Sequence, residues 1–145
     1  MVFGLLKDIK KGEYRTIATP VEIASIKADG HTVLVQKGAG ERAGFSDESY
    51  VEAGAEIVDT AKEMYERCDF ITKVKELEPY EFDMLREGQI IFTCIHPAAH
   101  REEVQALLDK KLLLLQQRTL IDMVLQTVKQ QENRVLFLVL SLCSQ

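Results

Sequence analysis

The sequence predicts an α/β domain with a mostly parallel sheet and helices on both faces. Two observations carry this. Short apolar runs of high β-propensity alternate with stretches that open on helix-capping residues and close on glycine. One run, Gln89-Ile90-Ile91-Phe92-Thr93-Cys94-Ile95, leads into His96 and Pro97. That is the pattern of a buried strand stopped by a proline that cannot continue it. At 145 residues the chain is one domain in length and can bury a core without staples.

Taken in order, Val2-Phe3-Gly4-Leu5-Leu6 is a first strand, and the polar stretch after it is a loop carrying Arg15. Thr19 caps a helix, Pro20 suits its first position and Glu22 puts an acid in its first turn. Val21, Ile23, Ala24 and Ile26 form its apolar face, and Gly30 ends it. Thr32 to Gln36 is a second strand, broken by Gly38-Ala39-Gly40. Ser46 opens a helix closed by Gly54. Glu56-Ile57-Val58 is a third strand, and Asp59 caps a helix whose face is Ala61, Met64 and Tyr65. Phe70 to Val74 is a fourth strand, and Tyr80 to Leu85 a short helix. The strand ending in His96 follows, then a helix from about Ala99 to Leu108.

Strands alternating with helices imply right-handed crossovers, hence a Rossmann-like or flavodoxin-like single domain. Such sheets bind ligands at the carboxyl ends of their strands. The loops there hold Lys7, Arg15, Lys73, Lys75 and His96. Basic groups on that edge suit a small anionic ligand. The net charge of −5 gives no footprint for nucleic acid. Cys68, Cys94 and Cys143 have no metal-ligand spacing, which fits a reduced, cytoplasmic protein. The apolar start is too short for a signal peptide, and the run from Val135 to Cys143 is too short to span a bilayer.

Several motifs in order resemble one family. They are Gly4 to Arg15 with Thr19-Pro20, Gly38-Ala39-Gly40 with Gly44 to Tyr50, and Gly54 to Val58. Lys73 to Glu76, Leu85 to Gln89 and Phe92 to His96 complete the set. Together they are similar to the N-terminal substrate domain of alanine dehydrogenases, over residues 1–111. The related pyridine nucleotide transhydrogenase α subunits share part of the pattern. The resemblance implies NAD-dependent oxidation of L-alanine to pyruvate and ammonia, by a homo-oligomer. It implies that Arg15 clamps the substrate carboxylate in a two-donor fork. Lys75 would hold the carboxylate or the carbonyl oxygen, and His96 would be the general acid/base. His31 reads as a turn residue, His100 as a surface group at a helix start, and Cys94 as core packing.

Residues 112–145 break the pattern: they contain no Gly, Ala or Pro, and Leu and Gln dominate. We read this non-matching tail as a frameshift product. Ala-Ala-Glu codons read one base late give Gln-Gln-Arg, as at Gln116-Gln117-Arg118. Ala-Ala-Gly-Lys gives Gln-Gln-Glu-Asn, as at Gln130 to Asn133. Leu113-Leu114-Leu115 still suits a strand, and Thr119 a helix cap. With no Gly-x-Gly-x-x-Gly, no NAD-binding domain is expected, so the fragment would bind no NAD and not turn over. The alternatives are part of a transhydrogenase α subunit, a non-catalytic small-molecule binder, and a receiver-like module. The last has at best half a match at Val58-Asp59.

Overall fold

A computed structural model describes residues 1–95 and 101–116. The strands are β1 (Val2–Leu5), β2 (Thr32–Gln36), β3 (Glu56–Val58), β4 (Phe70–Thr72), β5 (Ile90–Thr93) and β6 (Leu113–Gln116). The α-helices are α1 (Pro20–Ala28), α2 (Asp47–Glu52), α3 (Ala61–Arg67) and α4 (Arg101–Asp109). A 3-10 helix, Pro79–Met84, stands between β4 and β5.

Every described strand pair is parallel, in the order β3-β2-β1-β4-β5-β6. This is the Rossmann-type doubly wound order, whose direction reverses between β1 and β4. A receiver-like module has the order 2-1-3-4-5, so that alternative falls.

Side-chain alternation divides the core between the two faces. On β2, Val33 and Val35 join Leu5, Ile23 and Tyr50 on the face covered by α1 and α2. Leu34 points the other way, into the larger cluster with Met64, Tyr65, Ile71, Ile91 and Leu107. Phe3 and Phe70, register partners on β1 and β4, hold their rings 4.7 Å apart. Gly4 lets α3 approach: a Cβ there would lie 2.6 Å from Cys68 Sγ.

The expected helix starts are largely present. Thr19 donates its backbone N–H to the Glu22 carboxylate at 2.8 Å, one half of a capping box. Ser46 caps α2 through its hydroxyl. Several expectations need correction. Thr60, not Asp59, caps α3: its hydroxyl accepts from the Glu63 N–H, while Asp59 lies exposed by Lys37. On α1 only Ile23 is buried, with Ile26 partly so; Val21 is 72 % exposed. Val21 and Ala24 are turned out of the stripe that a nine-residue helix can bury. β4 and β5 end at Thr72 and Thr93, short of Val74 and Ile95; after β4 the chain leaves the ladder to form one side of the cleft described next.

The Leu113 strand forms as expected and pairs with β5 in register Ile90 with Leu113 through Thr93 with Gln116. Leu112 and Leu114 are buried. The Thr119 cap lies outside the described residues.

Candidate functional site

The strand order reverses between β1 and β4, and the loops leaving these strands diverge and open a crevice. The β1 loop carries Arg15 and the β4 loop carries Lys75. They meet in a cleft of about 540 Å³, whose lining includes Lys10, Gly12, Glu13, Tyr14, Arg15 and Lys75.

Hydrogen bonds fix both loops. Leu6 N–H extends the ladder to Thr72 carbonyl at 2.9 Å. Asp8, nearly buried, then turns back: Oδ1 accepts from Lys10 N–H at 3.0 Å and Oδ2 from Lys75 N–H at 2.8 Å. On the other side the buried Thr93 hydroxyl donates to the Lys75 carbonyl at 2.6 Å. The Lys75 peptide is thus held from β1 and from β5, while its ammonium is left partly exposed. Lys10 Nζ crosses to Glu76 at 2.6 Å and Glu78 at 3.3 Å, tying the same two loops at their rim. Arg42 donates to the carbonyls of Lys10 and Glu13.

Arg15 does not stand alone. Its Nε donates to Glu13 Oε1 at 2.8 Å and its Nη2 to Glu13 Oε2 at 2.7 Å. Lys75 Nζ lies 3.9 Å from the same Oε2. The Arg15 hydrogen bonds, with the nearby Lys75 charge, bring the Glu13 carboxyl down to about 2, so it is ionised at neutral pH. Arg15 is raised in return, chiefly by that pairing. The guanidinium is largely exposed and its carboxylate partner is buried.

The structure brings two of the three expected site residues together, since Arg15 and Lys75 share one cleft and one counter-ion. His96 lies outside the described residues, as does His100. Lys73 corrects an expectation. It is not a basic group on the sheet edge: its Nζ is buried against Glu81 Oε2 at 2.8 Å. Glu81 also accepts from Tyr65 Oη at 3.1 Å and from Glu78 N–H at 2.6 Å. Cys94 is half-buried, and burial raises its thiol above the usual value, so it is no ready nucleophile.

Sequence reasoning passed over Glu13 and Asp8. The Glu13-x-Arg15 spacing is the signal for the first, since a carboxylate two residues before an arginine reaches that residue's own N–H. Here it does so, at 3.0 Å.

The loop Gly38–Gly40 is not a phosphate cradle. Gly38 N–H is taken by Asp47 Oδ1 at 2.8 Å. Gly40 packs flat on Tyr50, where a Cβ would lie 2.5 Å from the ring. The described residues of this loop do not fit a dinucleotide, and its glycines serve packing. Among the described residues no group of His, Cys, Asp and Glu is placed to hold a metal ion, and no helix is long and apolar enough to cross a membrane.

Comparisons with known proteins agree with this fold. A family model described as alanine dehydrogenase/PNT, N-terminal domain, matches residues 4–137. That match continues past residue 111, where the motifs read from the sequence stop. An alanine dehydrogenase of Methanococcus maripaludis is 45% identical over 112 residues, which are 77% of this chain and 30% of the relative. One from Bacillus subtilis is 42% identical over 110 residues, 76% of this chain and 29% of the relative. The chain therefore spans under a third of the length of these curated relatives. A solved L-alanine dehydrogenase superposes with a TM-score of 0.76 at 38% identity, covering 80% of this chain and 32% of that one. A transhydrogenase from Sinorhizobium meliloti shares the fold, with a TM-score of 0.74 at 24% identity over 80% of this chain and 34% of that one.

Proposed function

The chain belongs to the alanine dehydrogenase/PNT N-terminal domain family, and from that premise we propose that its cleft is the carboxylate-binding half of an L-alanine/pyruvate site. One observation carries the reading. Arg15 and Lys75, sixty positions apart, converge on one carboxylate at the point where the strand order reverses. Two cations held that way suit a small carboxylic acid. Arg15 supplies the planar fork for the ligand carboxylate. Lys75, its backbone clamped on both sides, sets one ammonium near the carboxylate or the adjacent carbonyl oxygen. His96, beyond the end of β5, is the group we assign to proton transfer.

Hydride transfer to NAD belongs to the alanine dehydrogenase reaction as a whole, and the Gly38–Gly40 loop offers the dinucleotide no cradle. What this domain supplies in our reading is the hold on the acid and the orientation of its carbonyl carbon, in a cytoplasmic setting. The transhydrogenase reading shares the fold, but in our reading Arg15, Lys75 and His96 together favour the dehydrogenase.

Calorimetric titration of the 145-residue chain with pyruvate tests this. Saturable binding is expected, lost in Arg15→Ala and in Lys75→Ala while the circular dichroism spectrum is unchanged. No heat at millimolar pyruvate overturns the reading.

A further inference from the structure

Glu13 touches both cations of the cleft, yet the reading above gives it no part. It is not a stray surface charge. Its side chain is only 5 % exposed and accepts three hydrogen bonds, from Arg15 N–H, Nε and Nη2. Its own backbone is pinned as well: its N–H donates to the Lys10 carbonyl at 3.1 Å, and its carbonyl accepts from Arg42. A carboxylate anchored this way stays in the wall of the cleft when a ligand carboxylate arrives.

Two consequences follow. The first is orientation. A guanidinium offers five N–H donors in a fixed plane. Glu13 consumes the Nε donor and one on Nη2, so the edge formed by Nη1 and the rest of Nη2 is left to face a ligand. The second is charge. Of the cations that face the ligand, Arg15 and Lys75 bring two positive charges, and Glu13, in contact with both, removes one. Around them two lysines, Lys10 and Lys11, stand against three carboxylates, Glu76, Glu78 and Asp8, so the surroundings add no surplus of positive charge. A ligand's second negative charge would enter a partly desolvated cleft without a partner.

We propose that Glu13 is a positioning and charge-setting residue, turning the outer edge of Arg15 to the ligand and making the cleft select monocarboxylates over dicarboxylates of similar size. The proposal rests on the substrate-cleft reading and deepens it.

The test titrates the 145-residue chain with pyruvate, a monoanion, and with ketomalonate, which adds a second carboxylate to the same keto carbon. Wild type is expected to prefer pyruvate by about tenfold or more. Glu13→Gln removes the charge and should shift that ratio toward ketomalonate by about tenfold. Glu13→Asp keeps the charge but shortens the reach, so it should weaken pyruvate binding several-fold and keep the preference. If Glu13→Gln does not fold, Glu13→Ala supplies the second measurement, with the same shift of the ratio toward ketomalonate expected. A wild type that binds pyruvate without preference, or an unchanged ratio in the Glu13 variant that folds without its charge, overturns this proposal and leaves the substrate-cleft reading standing. A wild type that binds neither keto acid overturns both.

Discussion

Asp8 and Lys75 are joined across the point where the strand order reverses: the Asp8 carboxylate accepts the Lys75 backbone N–H at 2.8 Å, over 67 positions of sequence. Its other oxygen takes the Lys10 N–H. Asp8→Ala would leave two backbone donors in a nearly buried place without their acceptor. The expected cost is about 1–3 kcal/mol in urea unfolding, with weaker pyruvate binding because Lys75 loses one of its two backbone holds. Unchanged stability and unchanged affinity would show that the bridge does not position Lys75.

Glu13 gives the cleft a pH signature. Its folded-state carboxyl is lowered to about 2 from its ordinary 4.5, first by the Arg15 hydrogen bonds. A depressed carboxyl contributes stability that is fully present above its unfolded value and is lost as pH falls through its folded value. The window is therefore about pH 4.5 down to 2. Other carboxylates titrate there too, so the measured quantity is a difference. Wild type minus Glu13→Gln stability, from urea unfolding at each pH, should shrink across that window and be flat above it. A difference independent of pH sinks the assignment.

Much of the fold was legible because its signals are local. Thr19-Pro20 with Glu22, and Ser46 with Ser49, announce caps in the sequence that the structure uses as caps. Val33, Leu34 and Val35 are all apolar, which marks a strand covered on both faces. The choice between a Rossmann-type and a flavodoxin-type order was not legible, because it depends on which side each crossover takes. Arg15 and Lys75 were legible as chemistry, from a resemblance. Lys73 was misread because burial is not written locally. Its partner Glu81 stands eight positions on, beyond a turn that only the fold closes. Glu13 was not legible as part of the site, because its burial and its contact with Lys75, sixty-two positions on, are set by the fold.

Gly4 should tolerate no side chain while Cys68 is present. A Cβ there meets Sγ at 2.6 Å, Met64 Cε at 3.1 Å and Cys68 Cβ at 3.2 Å. Gly4→Ala is an overpacking change between β1 and α3, expected to cost about 1–3 kcal/mol. Gly4→Ala with Cys68→Ala should recover part of that loss, because the nearest atom is gone. Recovery absent from the double variant's urea midpoint would mean that the strain lies in the backbone instead. The same burial pushes the Cys68 thiol up to about 12, so alkylation of native protein should spare it and unfolding should expose it.

The frameshift reading of residues 112–145 makes a prediction about nucleotides. Read in the frame one base upstream, the codons for Gln116-Gln117-Arg118 should give Ala-Ala-Glu, and those for Gln130 to Asn133 should give Ala-Ala-Gly-Lys. The β6 strand is compatible with either frame, since pairing beside β5 asks only for apolar, β-tolerant residues at 113–115. Sequencing the gene decides it: codons that cannot encode those residues upstream sink the reading.

The buried Lys73–Glu81 pair should be costly to break and cheap to neutralise. Both side chains are almost fully buried, 2.8 Å apart, and they join the end of β4 to the 3-10 helix. Lys73→Met strands an uncompensated Glu81 carboxylate, at an expected cost of about 3–5 kcal/mol. Adding Glu81→Gln removes that charge and keeps an oxygen for Glu78 N–H, with the amide NH2 able to donate to Tyr65 Oη, so the double variant should regain most of the loss. The readout is the urea midpoint of the two variants side by side. Lys73 sits two positions before Lys75, so pyruvate affinity should fall in Lys73→Met and return in the double variant. A double variant no more stable than Lys73→Met would show that Lys73 contributes packing and not charge compensation.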